Sequence, residues 1–350
     1  LGLEIKREVL VGDLAEPENR RMLIFCALGG MIFPALIYLL FNYSLDSQIG
    51  WGIPMATDTA FALGVLTIVR KHIPASLLAF IVGLAIVDDI GAILVIAIFY
   101  TEQISVGHLS GASALVAFLV LANYAGIRQP MFYIIISVVI WLLMLNSGVH
   151  ATVAGVAIAL TVPARPKLAA DKLLNKAKSK ISSLQRSAET VDVLANKQDH
   201  DKVLEVRDVA ERASTPLRRW EDALELPVSL FALINAGVVV NLNSLVDSLQ
   251  HPIGLGIISG LVLGKFIGIT SACWLSLRFK LGSLPNSVNF QHIVGASLIT
   301  GIGFTMSTFI ATLGFAGQAE QLQYAKTAIL IASVIAAVLG TLYLKIISSK

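Results

Sequence analysis

The chain has 350 residues, of which 14% are charged, against roughly 25% in soluble globular domains. The hydrophobic fraction of 56% and the mean hydropathy of +0.78 indicate that most of the chain lies in a membrane and exclude a soluble globular protein. The net charge of +3 is too small for a nucleic-acid binder, and the only two cysteines lie in apolar runs, which excludes a disulfide scaffold.

Ten apolar runs are candidates for crossing a bilayer core, which takes about 20 residues of helix. They are residues 21–41, 50–69, 75–100, 106–125, 129–145, 147–163, 223–245, 252–277, 290–316 and 322–346. A charged segment, residues 164–222, separates a first membrane part (1–163) from a second (223–350). The three spans within 21–100 and the last three, within 252–346, each place an interrupted middle span between two continuous ones, which predicts two related repeats.

Lys and Arg are unevenly distributed over the connections between these spans. When alternate connections are grouped, all but two of the 26 Lys and Arg residues fall on one side; Lys326 is on the other side and Lys265 is inside a span. Because positively charged loops stay in the cytoplasm, we expect both ends of this chain to be cytoplasmic in an inner membrane. The opening LGLEIKRE does not begin with Met, and we interpret the N-terminus as truncated.

Four charged side chains lie well inside apolar runs: Asp58, Asp88, Asp89 and Lys265. Each costs roughly 2.5–3.5 kcal/mol at the centre of a membrane helix, so the set would cost about 10–14 kcal/mol, comparable with the stability of a whole domain. A purely structural ion-pair network is one interpretation. Three acids against one base leave a surplus of negative charge, however, so we expect protons or a metal cation to balance it.

Adjacent helix residues point about 100° apart, so Asp88 and Asp89 cannot share one environment. One of them is expected to face Lys265 and the other a water-filled cavity. At such a short separation the two carboxyls should titrate as a coupled pair.

Two spans contain clusters of helix-breaking residues. The first cluster surrounds Asp58 and consists of Pro54, Thr57, Thr59 and Gly64. The second, in the run 290–316, consists of Gly301, Gly303 and Thr305. Either cluster alone is typical of close helix packing through small residues. Together, in corresponding positions of two repeats, they predict broken helices that form a transport site.

Weaker candidates have ordinary interpretations too. His150 suits a hydrogen-bonded interface position, although an unperturbed pKa of about 6.5 also suits pH sensing. Glu4 and Glu8, four residues apart, suit a solvated helix end or a mouth that attracts cations, and Asn235 is suited to bridging helices. We find no sequence pattern for a resident cofactor.

Five segments, in order and over essentially the whole chain, resemble the bacterial NhaA-type sodium/proton antiporters: ATDTAFALGVL, LAIVDDIGAILVIAIFY, SGVHATVAGV, LGKFIGI and GIGFTMSTFIATLGF. The resemblance implies an all-α polytopic membrane protein, a helix bundle with inverted repeats and two unwound helices crossing near the midplane. It also implies electrogenic exchange of sodium or lithium for more than one proton, activation by alkaline cytoplasm, and a homodimer of the full-length protein.

By this resemblance, Asp88 and Asp89 are the paired transport carboxylates. Asp89 is implied as the direct sodium ligand and Asp88 as the partner of Lys265. Asp58 would balance the ends of the crossing half-helices, and Thr57 would add an oxygen to the site.

The segment beginning Arg219-Trp220-Glu221 resembles the family's pH-sensing region, so Glu221 and His150 are candidates for the pH response. The chain departs from the family pattern in four places. The first two helices are absent except for the end LEIKRE, Phe266 stands where proline is expected, the loop 165–222 is longer than expected, and the span after this loop is a few residues shorter than expected.

The sequence therefore predicts a secondary transporter rather than an enzyme. Sodium or lithium and protons would compete for the buried aspartates by alternating access across the lipid bilayer, with no nucleic-acid partner. Two alternatives remain open. An intramembrane aspartyl protease also needs two buried carboxyls, but its GxGD context is absent; a passive cation channel would conduct sodium without moving protons.

Overall fold

A computed structural model describes residues 1–70, 73–101, 104–164, 215, 217–224, 247–285 and 287–348. Every regular element in these ranges is a helix. The predicted span 223–245 lies almost entirely outside the described residues, as does most of the charged segment 164–222.

The helices follow the apolar runs of the sequence. The first part contains α1 (Gly2–Val11), α2 (Pro17–Asn42), α3 (Thr59–Val69), α4 (Ala75–Phe99), α5 (Val106–Tyr124), α6 (Pro130–Asn146) and α7 (Ala151–Thr161). The second part contains α8 (Pro252–Ser259), α9 (Lys265–Arg278), α10 (Phe290–Ile299), α11 (Phe304–Gly314) and α12 (Ala319–Ser348). A 3₁₀ helix, Asp46–Met55, precedes α3, and a π-helical turn, Gly260–Gly264, joins α8 to α9.

Five of these segments are long and apolar enough to cross a membrane: α2, α4, α5, the continuous unit Pro252–Arg278, and α12. Two bent pairs raise the number to seven if each counts as one crossing. The 3₁₀ helix meets α3 at 45°, and α10 meets α11 at 48°. Both interruptions predicted from the sequence are therefore present, and α6 and α7 are shorter apolar helices at the remaining described runs.

The apolar interior is divided at one of these interruptions. A first cluster of buried side chains joins α2, α3, α4 and α9, and Met55 belongs to it. A second cluster joins the 3₁₀ helix, α8, α11 and α12, and Ala56 belongs to that one. The start of the non-helical stretch 56–58 thus lies where the two clusters meet.

The outer faces of the helices are apolar as well. Leu40, Ile68 and Ile98 are exposed by 80%, 74% and 69% of their surface, as expected for side chains that face lipid tails rather than water. This pattern agrees with the composition of the chain.

The closest helix contact joins α2 to α9, the helix that carries Lys265. A Cβ built on Gly29 would overlap the carbonyl oxygen of Gly268 and lie 2.6 Å from the Cβ of Ala272. Two helix backbones can approach this closely only where a side chain is missing. Glycine at this crossing therefore fixes the position of the only buried lysine among the described residues.

Gly29→Ala is expected to lower the free energy of unfolding by about 1–3 kcal/mol, because α2 and α9 must move apart to accept the methyl group. The measurement is a denaturant titration in detergent. Gly64→Ala is the matched control, since Gly64 is also inside a helix but has no neighbouring atom within 4 Å of the added Cβ. Equal losses in the two variants would contradict the close-contact explanation.

Candidate ion-binding site

The two helix interruptions contact each other. The backbone N–H of Asp58 donates to the carbonyl of Ile302 at 2.6 Å, and the Thr57 hydroxyl lies 3.0 Å from the carbonyl oxygen of Thr300. Non-helical backbone at membrane depth needs partners of this kind, since lipid provides none. Each break therefore supplies hydrogen-bond partners to the other.

Asp58 caps two helices at once. Its Oδ1 accepts from the N–H of Phe61, in the first turn of α3, at 3.0 Å. Its Oδ2 accepts from the N–H and the hydroxyl of Thr305, in the first turn of α11, at 2.9 and 2.5 Å. Helix N-termini carry partial positive charge, so this carboxylate, which is only 2% exposed, is balanced by two of them.

Asp88 is balanced by a lysine. The Nζ of Lys265 lies 2.5 Å from Asp88 Oδ2, and both side chains are fully buried. The Thr57 hydroxyl, which has one proton to donate, also lies 2.9 Å from the same Oδ2. Lys265 is the first residue after the π-helical turn, an irregularity that is frequent at functional sites because it changes the direction in which the following side chains point.

Asp89 has no such partner. The Asp89 side chain is buried, with only 5% of its surface exposed. Among the described residues, no basic side chain forms an ion pair with Asp89, whereas Lys265 pairs with Asp88. The Oδ1 atoms of Asp88 and Asp89 are both buried without a hydrogen-bond partner. A buried, unpaired carboxylate oxygen is costly, so this pair of residues can be stabilised by a small cation or by protons.

The described residues contain no group of three or more His, Cys, Asp or Glu side chains suited to a metal ion. The oxygens available to a sodium ion here are those of two carboxylates and one threonine. Such hard oxygen ligands suit alkali and alkaline-earth cations better than transition metals.

The two residues suggested for the pH response have partners other than the carboxylate pair. His150 precedes α7, where its Nδ1 accepts weakly from the N–H of Thr152 at 3.4 Å, and its ring packs edge-on against Phe309. Glu221 forms ion pairs with Arg7 at 3.1 Å and Arg218 at 3.5 Å. Glu221 thereby links α1 to the short helix at residues 217–224.

α1 contacts α4, the helix that carries Asp88 and Asp89, and Glu4 lies on α1. Glu8 is 8% exposed, whereas Asn235 lies outside the described residues. Lys6 donates to the carbonyls of Leu160 and Val162 at 2.6 and 2.5 Å, which anchors α1 to the C-terminal end of α7.

Some contacts of the site were not foreseen from the sequence. Thr305 was expected only as part of a helix break, yet it provides two donors to Asp58. The sequence could have predicted a contact of this kind, because Thr305 lies in the first turn after the Gly-rich break. Backbone N–H groups at the start of a helix have no partner within the helix and need acceptors. The π-helical turn before Lys265 has no comparable signal in the sequence.

Comparison with known proteins identifies relatives along the whole chain. The family profile described as Na+/H+ antiporter 1 matches residues 1–344. The Na(+)/H(+) antiporter NhaA 1 of Shewanella denitrificans is 69% identical over 355 residues, which cover 100% of this chain and 79% of that protein. The Na(+)/H(+) antiporter NhaA 2 of Psychromonas ingrahamii is 67% identical over 356 residues, covering 100% and 75%. The Na(+)/H(+) antiporter NhaA of Sulfurimonas denitrificans is 42% identical over 357 residues, covering 100% and 80%.

Asp58→Ala is expected to lower the free energy of unfolding by about 3 kcal/mol, because two helix N-termini lose a buried cap, each worth about 1–2 kcal/mol. Asn289→Ala is the control: Asn289 caps α10 alone, in an exposed capping box, and should cost about 1 kcal/mol. Denaturant titration in detergent measures both. A loss no larger for Asp58→Ala than for Asn289→Ala would show that Asp58 does not cap both helices.

Proposed function

Because the chain belongs to the Na+/H+ antiporter 1 family, with residues 1–344 matched, it is a sodium/proton antiporter, and we propose that exchange takes place at Asp88 and Asp89. As a member of this family it is a multi-pass protein of the bacterial inner membrane and a transporter. The protease and channel alternatives are therefore rejected.

The observation that carries the proposal is the unequal environment of the two carboxylates. Asp88 has Lys265 at 2.5 Å, whereas Asp89 has no basic partner among the described residues, and each has a buried Oδ1 without a hydrogen bond. Sodium would bind to Asp89 with help from Asp88 and from the hydroxyl oxygen of Thr57. Protons would neutralise the same oxygens when sodium is absent.

Competition for one set of oxygens is sufficient for coupling. Sodium needs deprotonated ligands, so the site holds either sodium or protons in each crossing of the membrane. Lys265 contributes a positive charge that must be released from Asp88, or neutralised, when Asp88 takes part in binding sodium. Two protonatable groups in the site, Asp89 and the Asp88–Lys265 pair, suit more than one proton per sodium, and hence electrogenic exchange.

The proposed site lies beside the two interrupted spans, which are the part of the helix bundle that would move during transport. Breaks in two spans allow part of the bundle to shift without breaking continuous helices, as alternating access requires.

We propose ten membrane crossings with inverted repeats over 21–100 and 252–346, and cytoplasmic ends for this chain. The other elements of the proposal are lithium as a second substrate, a homodimer, direct contact with bilayer lipid, and no resident cofactor.

Glu221 and His150 are proposed to take part in the response to pH. Glu221 joins α1 to the helix at residues 217–224 through Arg7, and α1 contacts α4, which carries Asp88 and Asp89. A change of charge at Glu221 would therefore be transmitted through α1 to the helix of the carboxylate pair. His150, which packs on Phe309 of α11, would act on the broken helix directly.

Asp89→Asn is expected to abolish sodium-dependent proton movement, because the variant keeps the side-chain shape but loses the carboxylate that binds the ion. The protein should still fold, since Asp89 forms no ion pair whose loss would leave a buried charge. Exchange is measured with a pH-sensitive dye in everted membrane vesicles. Asp46→Asn, which alters an exposed acid in the 3₁₀ helix, is the matched control and should exchange normally.

Sustained sodium-dependent proton flux in the Asp89→Asn protein, at an expression level equal to that of the control, would refute the assignment of Asp89. Membrane insertion is verified for both variants by quantifying them in the same vesicles.

Acidification is expected to weaken sodium binding through competition. Each unit of pH decrease should raise the half-saturating sodium concentration by up to about tenfold per competing proton, because protonated carboxyls do not bind sodium. Proteoliposomes with pH fixed on the sodium side provide the measurement, and excess sodium should restore the rate. A half-saturating concentration that does not change with pH would show that the two ions use separate sites.

A further inference from the structure

Ser307 lies one turn into α11, just after the second helix break. Its side chain is fully buried, and its Oγ has no hydrogen-bond partner among the described residues. Buried hydroxyls nearly always have a partner, and an exception in a native protein is often explained by a bound ion or water. Ser307 therefore provides an unused oxygen inside the protein.

This hydroxyl lies directly beside Gly303. A Cβ built on Gly303 would overlap the Oγ of Ser307 and lie 3.0 Å from the carbonyl oxygen of Ala56. Two oxygens, one from each interrupted span, thus border the same glycine. Ala56 is fully buried and directly precedes Thr57, whose hydroxyl contacts Asp88. The Ala56 carbonyl is therefore one residue away from a side chain that contacts the carboxylate pair, and Ser307 Oγ faces the same glycine as that carbonyl.

These two oxygens have the chemistry that an alkali cation needs. Hydroxyl and carbonyl oxygens are hard ligands, and unwound carbonyls of broken helices bind sodium in transporters. The start of α11 would otherwise repel a cation through its partial positive charge. Asp58 offsets that charge, since its Oδ2 accepts both donors of Thr305.

We infer that Ser307 Oγ and the Ala56 carbonyl form a second, neutral cation subsite, which sodium or lithium occupies on its way to or from Asp88 and Asp89. The inference rests on the proposed function, because it presupposes that the ion is bound at those aspartates. Neither oxygen titrates near neutral pH, so this subsite interacts with the metal cation and not with protons. Ser307 would therefore determine sodium affinity without changing proton affinity.

The test compares half-saturating sodium and lithium concentrations, and the pH profile at saturating sodium, in proteoliposomes containing the full protein. Ser307→Ala is expected to raise the half-saturating concentrations about fivefold, which corresponds to one neutral oxygen contact, and to leave the pH profile unchanged. The matched control is Ser276→Ala. Ser276 is likewise fully buried with an unpartnered Oγ, but it lies on α9, about 16 Å along the helix from Lys265.

A second variant tests access directly. With Cys26 and Cys273 replaced by alanine, Ser307→Cys is expected to react with a small cationic methanethiosulfonate reagent, and sodium or lithium should slow that reaction. Ser276→Cys should show no cation-dependent protection. Because this readout is labelling, it remains informative if Ser307→Ala inserts poorly.

Unchanged half-saturating concentrations in Ser307→Ala, or labelling of Ser307→Cys that sodium does not slow, would overturn the subsite. A pH profile that shifts in Ser307→Ala together with sodium affinity would also overturn it, since a neutral cation ligand cannot produce that shift. Failure of the aspartate site would be recognised separately, by exchange that persists in Asp89→Asn.

Discussion

The structure depends on an imbalance of buried charge around the two helix breaks, where three carboxylates meet one ammonium group. Asp58 is balanced by two helix N-termini, and Asp88 by Lys265. Asp89 is left without a basic partner among the described residues. Since an unpaired buried charge is costly, a proton or a mobile cation would stabilise the site, as the proposed exchange at Asp88 and Asp89 requires.

The irregular backbone follows from the same requirement. Continuous helices would leave no free backbone N–H or C=O groups at membrane depth. Two breaks that bond to each other provide such groups without exposing them to lipid. The bond from Asp58 N–H to the Ile302 carbonyl, at 2.6 Å, joins the breaks into one unit. The Gly29–Gly268 contact places α9 against α2, and the π-helical turn Gly260–Gly264 immediately precedes Lys265.

Much of this arrangement could be predicted from the sequence because the relevant residues are rare where they occur. Charged side chains in apolar runs identify Asp58, Asp88, Asp89 and Lys265 without any coordinates, and clustered Pro, Gly and Thr residues locate the two breaks. The partner of each charge is harder to predict, since it depends on tertiary contacts. Expecting Lys265 beside Asp88 rather than Asp89 required the family resemblance.

Other features of the structure could not be predicted from the sequence, because they depend on tertiary packing. Which serine is buried without a partner depends on packing, so Ser307 is indistinguishable in the sequence from serines such as Ser297, whose Oγ donates to the Val294 carbonyl. The backbone bond from Asp58 N–H to the Ile302 carbonyl, which helps to join the breaks, involves no particular side chain. The predicted span 223–245 stays a prediction, because it lies almost entirely outside the described residues.

In the exchange proposed above, the adjacency of Asp88 and Asp89 gives the two carboxylates different roles. Consecutive helix residues point about 100° apart, so Lys265 cannot make the same contact with both carboxylates. A lysine shared equally would reduce the attraction for sodium at each of them. Lys265 Nζ is 2.5 Å from Asp88 Oδ2, so the uncompensated negative charge is concentrated on Asp89. The proton of the ammonium group remains next to Asp88. In the proposed exchange, sodium bound at Asp89 would act on that proton through the neighbouring Asp88, and this electrostatic coupling would link the two ion movements at a single site.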